Sequence, residues 1–171
     1  MRRLLLAVVL LAAPACKRAH VRHVDTVEEP ARLASLVHMN DRTMAGQLTS
    51  GFYDIENGAW RWTAQKFSVT LRPPARSAQQ GALLDFHLTV PPPTIQKIGS
   101  VTLSASAGGA PLAPETYSKA GEYTYRRDIP ASALGGNSIR IDFELDKAVP
   151  PGDVDKRELG VVASSIALVA R

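Results

Sequence analysis

The chain has 171 residues, which is long enough for one domain with its own core and too short for two ordinary ones. Its formal charge of +4 falls to +2 when an N-terminal signal carrying Arg2 and Arg3 is removed, because 18 basic and 16 acidic residues remain. The remaining charges are scattered along the sequence, which argues against a nucleic-acid partner.

The first 15 residues have the features of an export signal. A basic start, Met1-Arg2-Arg3, precedes an apolar run from Leu4 to Ala13. That run is shorter than the roughly 20 apolar residues that a membrane-spanning helix needs. We therefore predict a signal peptide at residues 1–15, followed by a short flexible tether at residues 16–30 that is polar and charged.

Cys16 is the only cysteine and stands directly after the predicted cleavage point. A cysteine at this position resembles the lipidated residue of a bacterial lipoprotein. Ordinary cleavage after Ala13-Pro14-Ala15 is the alternative and would leave a soluble periplasmic product. An unpaired thiol is prone to oxidation in an oxidising compartment, which favours lipidation of Cys16 and a membrane partner through the lipid. Lys17 after the cysteine, rather than aspartate, favours the periplasmic face of the outer membrane.

Residues 51–63 contain both tryptophans of the chain. In their middle, Asn57-Gly58 is a strong signal for a two-residue hairpin turn, because both residues tolerate a positive φ. We predict that residues 52–56 pair with residues 59–63. Strand alternation then places Trp60 and Trp62 on one face and Arg61 on the other, with Glu56 close enough to be the ion partner of Arg61.

Downstream of the hairpin, apolar residues alternate with polar ones in short segments that end at proline or glycine. The predicted strands lie near residues 67–72, 84–90, 101–106, 123–129, 138–145 and 159–169, with a weaker one near 112–117. The last segment is apolar on both faces, which is typical of a strand in the middle of a sheet. Residues 31–39 fit either a helix or an edge strand. About eight short strands predict an all-β domain, an antiparallel β-sandwich, over residues 31–171.

Two segments resemble the end motifs of a bacterial exported jelly-roll domain. The first is Gly51-Phe52-Tyr53-x-x-Glu56 with Trp60-Arg61-Trp62-Thr63, and the second is Asp155-x-Arg157-Glu158-Leu159-Gly160. The resemblance covers about residues 45–170. That domain occurs alone in exported proteins of unknown role and appended to glycosyltransferases of the cell envelope. It implies a galactose-binding-like jelly roll and, by association, contact with glycans, and it implies no catalytic residue.

Aromatic side chains of the hairpin can form a platform for a sugar ring, since aromatic faces bury the apolar face of a pyranose. These residues are Tyr53, Trp60 and Trp62. Charged side chains nearby can bond the hydroxyl groups of the sugar, and the candidates are Arg61, Glu56 and Asp155.

The same residues allow a purely structural interpretation. The two tryptophans can be core aromatics, which are common in domains of this size. Ion pairs can join the hairpin to the last strand, and the candidate pairs are Arg61 with Glu56, Arg157 with Asp155, and Arg157 with Glu56. The exposure of Trp60 and Trp62 distinguishes the two interpretations.

The sequence lacks the motifs of common catalytic sites, including the Gly-x-Ser-x-Gly elbow, the phosphate-binding loop and His-Glu-x-x-His. We therefore predict a non-catalytic protein without cofactor or metal that binds or scaffolds a cell-envelope component, with a glycan as one candidate ligand. A structural or assembly subunit that contacts an envelope protein is the alternative. An enzyme acting on polysaccharide is the third hypothesis.

Overall fold

A computed structural model describes residues 33–171. The predicted signal peptide, the lipidation residue Cys16 and the tether lie outside the described residues. The strands are β1 Leu36–His38, β2 Leu48–Glu56, β3 Trp60–Leu71, β4 Ala82–Val90, β5 Val101–Ala107, β6 Ala110–Tyr117, β7 Gly121–Ile129, β8 Ile139–Leu145 and β9 Val162–Ala170. The helices are α1 Ser77–Gln80 and α2 Pro92–Ile98, with 3-10 turns at Arg42–Gln47 and Ala131–Ala133. None of the helices in this part of the chain is long and apolar enough to cross a membrane.

All of these strand pairs are antiparallel. Strand β3 joins two halves of the structure, one made of β5, β6 and β8 and the other of β4, β7 and β9. The strand order is β6-β5-β8-β3-β9-β4-β7, with β1 paired to β9 and β2 paired to β3. Residues 66–71 of β3 pair with β8, whereas Arg61 and Trp62 of the same strand pair with β9. The strands thus form the antiparallel β-sandwich that the alternation predicts, with nine strands rather than about eight.

A cluster of phenylalanines joins the two halves of the sandwich. Phe67 in β3 stacks on Phe143 in β8, with ring centroids 4.9 Å apart. Phe86 in β4 approaches both rings, at 5.1 Å from Phe143 and 5.9 Å from Phe67. All three side chains are buried. Each comes from a segment of clear two-residue alternation, so the sequence pattern places them inside.

The second arm of the hairpin and the following strand, which the sequence suggests are separate, form one continuous strand. β3 keeps its extended backbone where its neighbour changes from β9 to β8. At that point the backbone N–H of Gln65 donates to the Glu158 carboxylate at 2.8 Å. A side chain thus replaces the missing neighbouring strand and satisfies a backbone N–H that would otherwise lack an acceptor.

The first and last strands test two expectations from the sequence: the conformation of residues 31–39 and the place of the last strand in the sheet. The segment 31–39, which fits a helix or an edge strand by sequence, contributes the short strand β1. β9 lies between β4 on one side and β1 with β3 on the other. The predicted place of the last strand in the middle of the sheet is confirmed, but β9 is buried on both faces only at its start, at Val162 and Ala163, whereas Val169 is 44% exposed.

Candidate functional site

The two motif segments, residues 51–63 and 155–160, lie against each other. The Tyr53 hydroxyl donates to the Glu158 carbonyl at 2.8 Å, and the Gly160 amide donates to the Thr63 carbonyl at 2.7 Å. The contact at Gly160 is close: a Cβ there would lie 2.7 Å from the Ala64 carbonyl oxygen, a backbone atom that no side-chain rotation can move away. Glycine is therefore needed at this position for the last strand to approach β3.

Arg157 is the centre of the charged contacts between the segments. Its Nη1 donates to Glu56 Oε1 at 2.7 Å. Its Nε and Nη2 donate to the two carboxylate oxygens of Asp155 at 3.0 and 2.8 Å. The guanidinium also lies over the Tyr53 ring, 5.1 Å from the centroid. The pairing of Arg157 with Glu56 and Asp155 ties the hairpin to the segment before β9.

The hydrogen bonds from Arg157 lower the pKa of Asp155 to about 2, and the bonds to Asp155 and Glu56 raise the pKa of Arg157. The pKa of Asp155 in the fold lies below its ordinary value of 3.8. The ionisation of Asp155 therefore stabilises the folded state fully when the pH is above that ordinary pKa. This contribution is lost as the pH falls through about 2.

The predicted ion pair between Arg61 and Glu56 does not form, so this prediction is wrong. Arg61 instead donates to two backbone carbonyls, those of Met39 and Tyr53, and Glu56 accepts from Arg157. The reason is the alternation of β3, which turns Arg61 towards the interior, on the same side as Phe67. Glu56 is paired across the hairpin with Trp60 rather than with Arg61.

The contact between Glu56 and Arg157 should contribute measurably to stability. We expect Glu56→Ala and Arg157→Ala to show a coupling free energy of about 0.5–1 kcal/mol in a double-mutant cycle, since both side chains are one-third exposed and partly screened by solvent. Urea unfolding of the four proteins measures it. Lys66 and Glu144, a more exposed pair at 2.9 Å, provide the control and should show almost no coupling. Additive losses for Glu56 and Arg157 would contradict the expected coupling.

Trp60 and Trp62 lie on the side of β3 opposite to Arg61. Their rings meet edge to face, with centroids 6.2 Å apart, and both side chains are half-buried. Neither indole belongs to the buried core. The interpretation of both residues as core aromatics is therefore wrong, and a ligand can reach at least part of this surface.

Trp62 lines a groove of about 470 Å³ between β3, α2 and the loop before β9. Its apolar lining comprises Trp62, Pro93, Val149, Pro150 and Leu159. Its polar and charged lining comprises Thr94, Lys97, Asp153, Asp155 and Arg157. Val154 in the same loop is fully exposed. The groove thus combines an aromatic face, an apolar floor and several hydrogen-bonding groups.

The structure divides the predicted ligand-binding residues into three groups. Trp62 and Asp155 line the groove. Tyr53 and Glu56 lie behind it and contact Arg157. Trp60 touches Trp62 but does not line the groove, and Arg61 points to the other side of the strand. These six residues therefore do not form one site.

Sequence reasoning missed the contribution of α2 to the groove. In the sequence, Pro91-Pro92-Pro93 predicts the end of a strand, although proline is also favoured in the first turn of a helix. Thr94 in this helix is 1% exposed, and its hydroxyl has no hydrogen-bond partner among residues 33–171. Within the same residues, no three histidine, cysteine or acidic side chains are grouped so as to hold a metal ion.

No protein-family model matches this chain, and no curated protein matches it. Among solved structures, the chain is similar to TmCBM27, a carbohydrate-binding module that recognises mannan, with 13% identity and a TM-score of 0.47 over 81% of this chain and 97% of that chain. It is also similar to the CBM36-1 domain of a multidomain xylanase from the hindgut metagenome of Trinervitermes trinervoides, with 14% identity and a TM-score of 0.41 over 80% and 96% of the two chains.

A third similarity is to dimeric latent PorU from Porphyromonas gingivalis, with 15% identity and a TM-score of 0.43. The match covers 61% of this chain and 10% of PorU, so the chain spans about a tenth of that protein. The β-sandwich of this chain is defined by its own strand pairing and core.

Proposed function

We propose that this protein is an exported, lipid-anchored, non-catalytic β-sandwich that binds a glycan of the cell envelope in the groove over Trp62. The observation that carries the proposal is a half-buried indole at the side of a groove that also contains charged and hydroxyl-bearing side chains. A sugar ring presents an apolar C–H face and a rim of hydroxyl groups, and such a groove complements both.

The size and rigidity of the groove suit this ligand. Its volume of about 470 Å³ falls within the range of about 300–1,000 Å³ typical of small-ligand sites. Arg157 is held in place by Glu56 and Asp155, so one wall of the groove is ordered before a ligand arrives. Binding to an ordered wall costs less conformational entropy than binding to free side chains.

We expect Trp62→Ala to weaken glycan binding by about 2 kcal/mol, or roughly thirty-fold in Kd, because it removes the stacking face. Screening on an array of envelope glycans finds the ligand, and titration calorimetry then measures the loss. Trp60→Ala is the matched control, since Trp60 is the same residue type on the same face of β3 but does not line the groove. It should retain most of the affinity.

Equal affinity in Trp62→Ala and the unaltered protein would reject the groove as the binding site, provided that circular dichroism shows both proteins folded. A complete absence of glycan binding, together with co-purification of one envelope protein that depends on the exposed Val154, would instead support the alternative of an assembly subunit. Turnover of any polysaccharide would contradict the proposal that the protein is non-catalytic.

The anchoring part of the proposal rests on Cys16 and the residues before it. We expect the exported protein to incorporate radiolabelled palmitate and to fractionate with the outer membrane. Cys16→Ser should abolish the label and release the protein, since the thiol is the acceptor of the lipid. Label retained by the Cys16→Ser protein would contradict lipidation at this residue.

A further inference from the structure

Arg61 brings a positive charge to a position where it is only 9% exposed. Its Nε donates to the Met39 carbonyl at 2.9 Å, and its Nη1 donates to the Tyr53 carbonyl at 2.8 Å. No carboxylate among residues 33–171 forms an ion pair with it. A guanidinium has five N–H donors, so the two bonds leave most of its donors without an acceptor in this part of the chain. Among the described residues, no nitrogen of Arg61 is both buried and without a partner, so its free donors reach solvent; an anion that replaces this solvent gains a charge-assisted pair with a largely desolvated guanidinium.

The two carbonyl bonds also fix the direction of the guanidinium. Met39 follows β1 and Tyr53 lies in β2, so the group is held between two pieces of backbone. It lines a cavity of about 480 Å³ together with Arg42, Ala45, Asp54 and Ile55. Two arginines and one aspartate leave this cavity with an excess of positive charge.

We propose that this cavity binds the carboxylate group of a ligand. The planar fork of an arginine matches the two oxygens of a carboxylate, and such charge-assisted bonds are about twice as strong as neutral ones. Arg61 supplies the fixed guanidinium that pairs with the carboxylate. Arg42 at the rim adds electrostatic attraction for the carboxylate, and the charge of Asp54 weakens this attraction. A neutral hydroxyl would leave the charge of Arg61 uncompensated.

The cavity is separate from the groove over Trp62. Successive side chains of a strand point to opposite faces, and Arg61 and Trp62 are neighbours in β3. The two sites have no lining residue in common. The carboxylate site therefore extends beyond the proposed glycan site and can be tested independently of it.

Sodium glucuronate is the probe, and glucose is its neutral counterpart. Titration of the isotopically labelled protein at low salt, followed by amide NMR shifts, should show saturable glucuronate binding near Arg42 and Asp54 and none for glucose. Arg61→Lys keeps the charge but loses the fork, and should weaken glucuronate binding by about tenfold or more. The thermal unfolding midpoint of this variant checks that it is folded.

Two exposed rim residues test the site without altering a buried group. We expect Arg42→Gln to weaken glucuronate binding by about two- to fivefold and Asp54→Asn to strengthen it by a similar factor, because each change alters one partly screened charge. Arg72→Gln is the matched control, since it removes an exposed arginine outside the cavity, and it should leave the affinity unchanged.

Three results would overturn the proposal. The first is equal binding of glucuronate and glucose. The second is glucuronate binding that disappears in Trp62→Ala but does not respond to Arg42→Gln or Asp54→Asn, which would assign it to the groove. The third is inorganic phosphate binding at Arg42 and Arg61 without any binding of glucuronate, which would make phosphate rather than carboxylate the ligand group.

Discussion

Gly51→Ala is expected to destabilise the protein by more than about 4 kcal/mol, a loss that few single substitutions reach. Gly51 lies within β2 at a positive φ of 71°, where the register with β3 shifts. A Cβ at this position would lie 2.0 Å from the Lys66 carbonyl oxygen and 2.7 Å from the Phe67 Cα. Both atoms belong to the backbone of β3, so a side-chain rotation cannot relieve the overlap. The two strands of the hairpin would have to separate.

Gly58→Ala provides the control for this prediction. Gly58 also has a positive φ, of 64°, but nothing lies within 4 Å of its hypothetical Cβ. Its replacement should therefore cost only the backbone strain, about 1–2 kcal/mol. Chemical unfolding of both variants separates steric overlap from strain. If the two variants lose the same stability, the close approach of β2 and β3 is not the reason for glycine at position 51.

Phe67→Ala is expected to destabilise the protein by about 3–5 kcal/mol, the usual cost of removing a large buried aromatic ring. The Phe67 ring is 2% exposed and contacts three other rings. These belong to Phe52 in β2, Phe86 in β4 and Phe143 in β8. The substitution therefore leaves a cavity that borders both halves of the sandwich and the hairpin, and neighbouring side chains cannot fill it without moving away from other partners.

Phe52→Ala is the matched control, because Phe52 is the partly buried end of the same cluster and, among the aromatic rings of residues 33–171, meets only that of Phe67, at 5.4 Å. We expect a loss well below that of Phe67→Ala. Urea unfolding monitored by tryptophan fluorescence measures both variants on one scale. A larger loss for Phe52 than for Phe67 would mean that the hairpin, rather than the contact between the halves, is the main source of stability.

The two motif segments illustrate how far local sequence reasoning reaches. The alternation through Trp60, Arg61 and Trp62 depends on neighbouring residues and is confirmed, as is a turn with positive φ at Asn57 and Gly58. The predicted pairing of residues 52–56 with 59–63 is wrong at the turn, because Glu56 pairs with Trp60 and Ala59 lies in a three-residue connection. The partner of Glu56 depends on which distant residue packs beside it. Arg157 is 101 positions away from Glu56. The sequence therefore leaves their contact as one of several possible pairings, and only the fold shows that it forms.

The candidate groove was less predictable than the strands that support it. Trp62 can be recognised as a candidate binding residue from the sequence, because aromatic residues make up only 6% of the chain. Its neighbours in the groove come from α2 and from the loop before β9, which are remote in sequence and carry no periodic pattern. The predicted six-residue site is therefore divided by the structure, with Trp62 and Arg61 serving two separate cavities.

The amino-acid sequence by itself determined the all-β class, the positions of most strands, the hairpin turn and the residues that face the core, since each follows from two-residue periodicity and local turn chemistry. Only the tertiary structure decided that β3 is shared by both halves, that Arg157 rather than Arg61 pairs with Glu56, and that Arg61 lies in a cavity with no carboxylate partner among the described residues. The physical reason is that these features depend on how segments pack: Glu56 and Arg157 are 101 positions apart, and the Arg61 cavity forms where the 3-10 turn at Arg42–Gln47 packs beside the hairpin, neither of which local patterns encode.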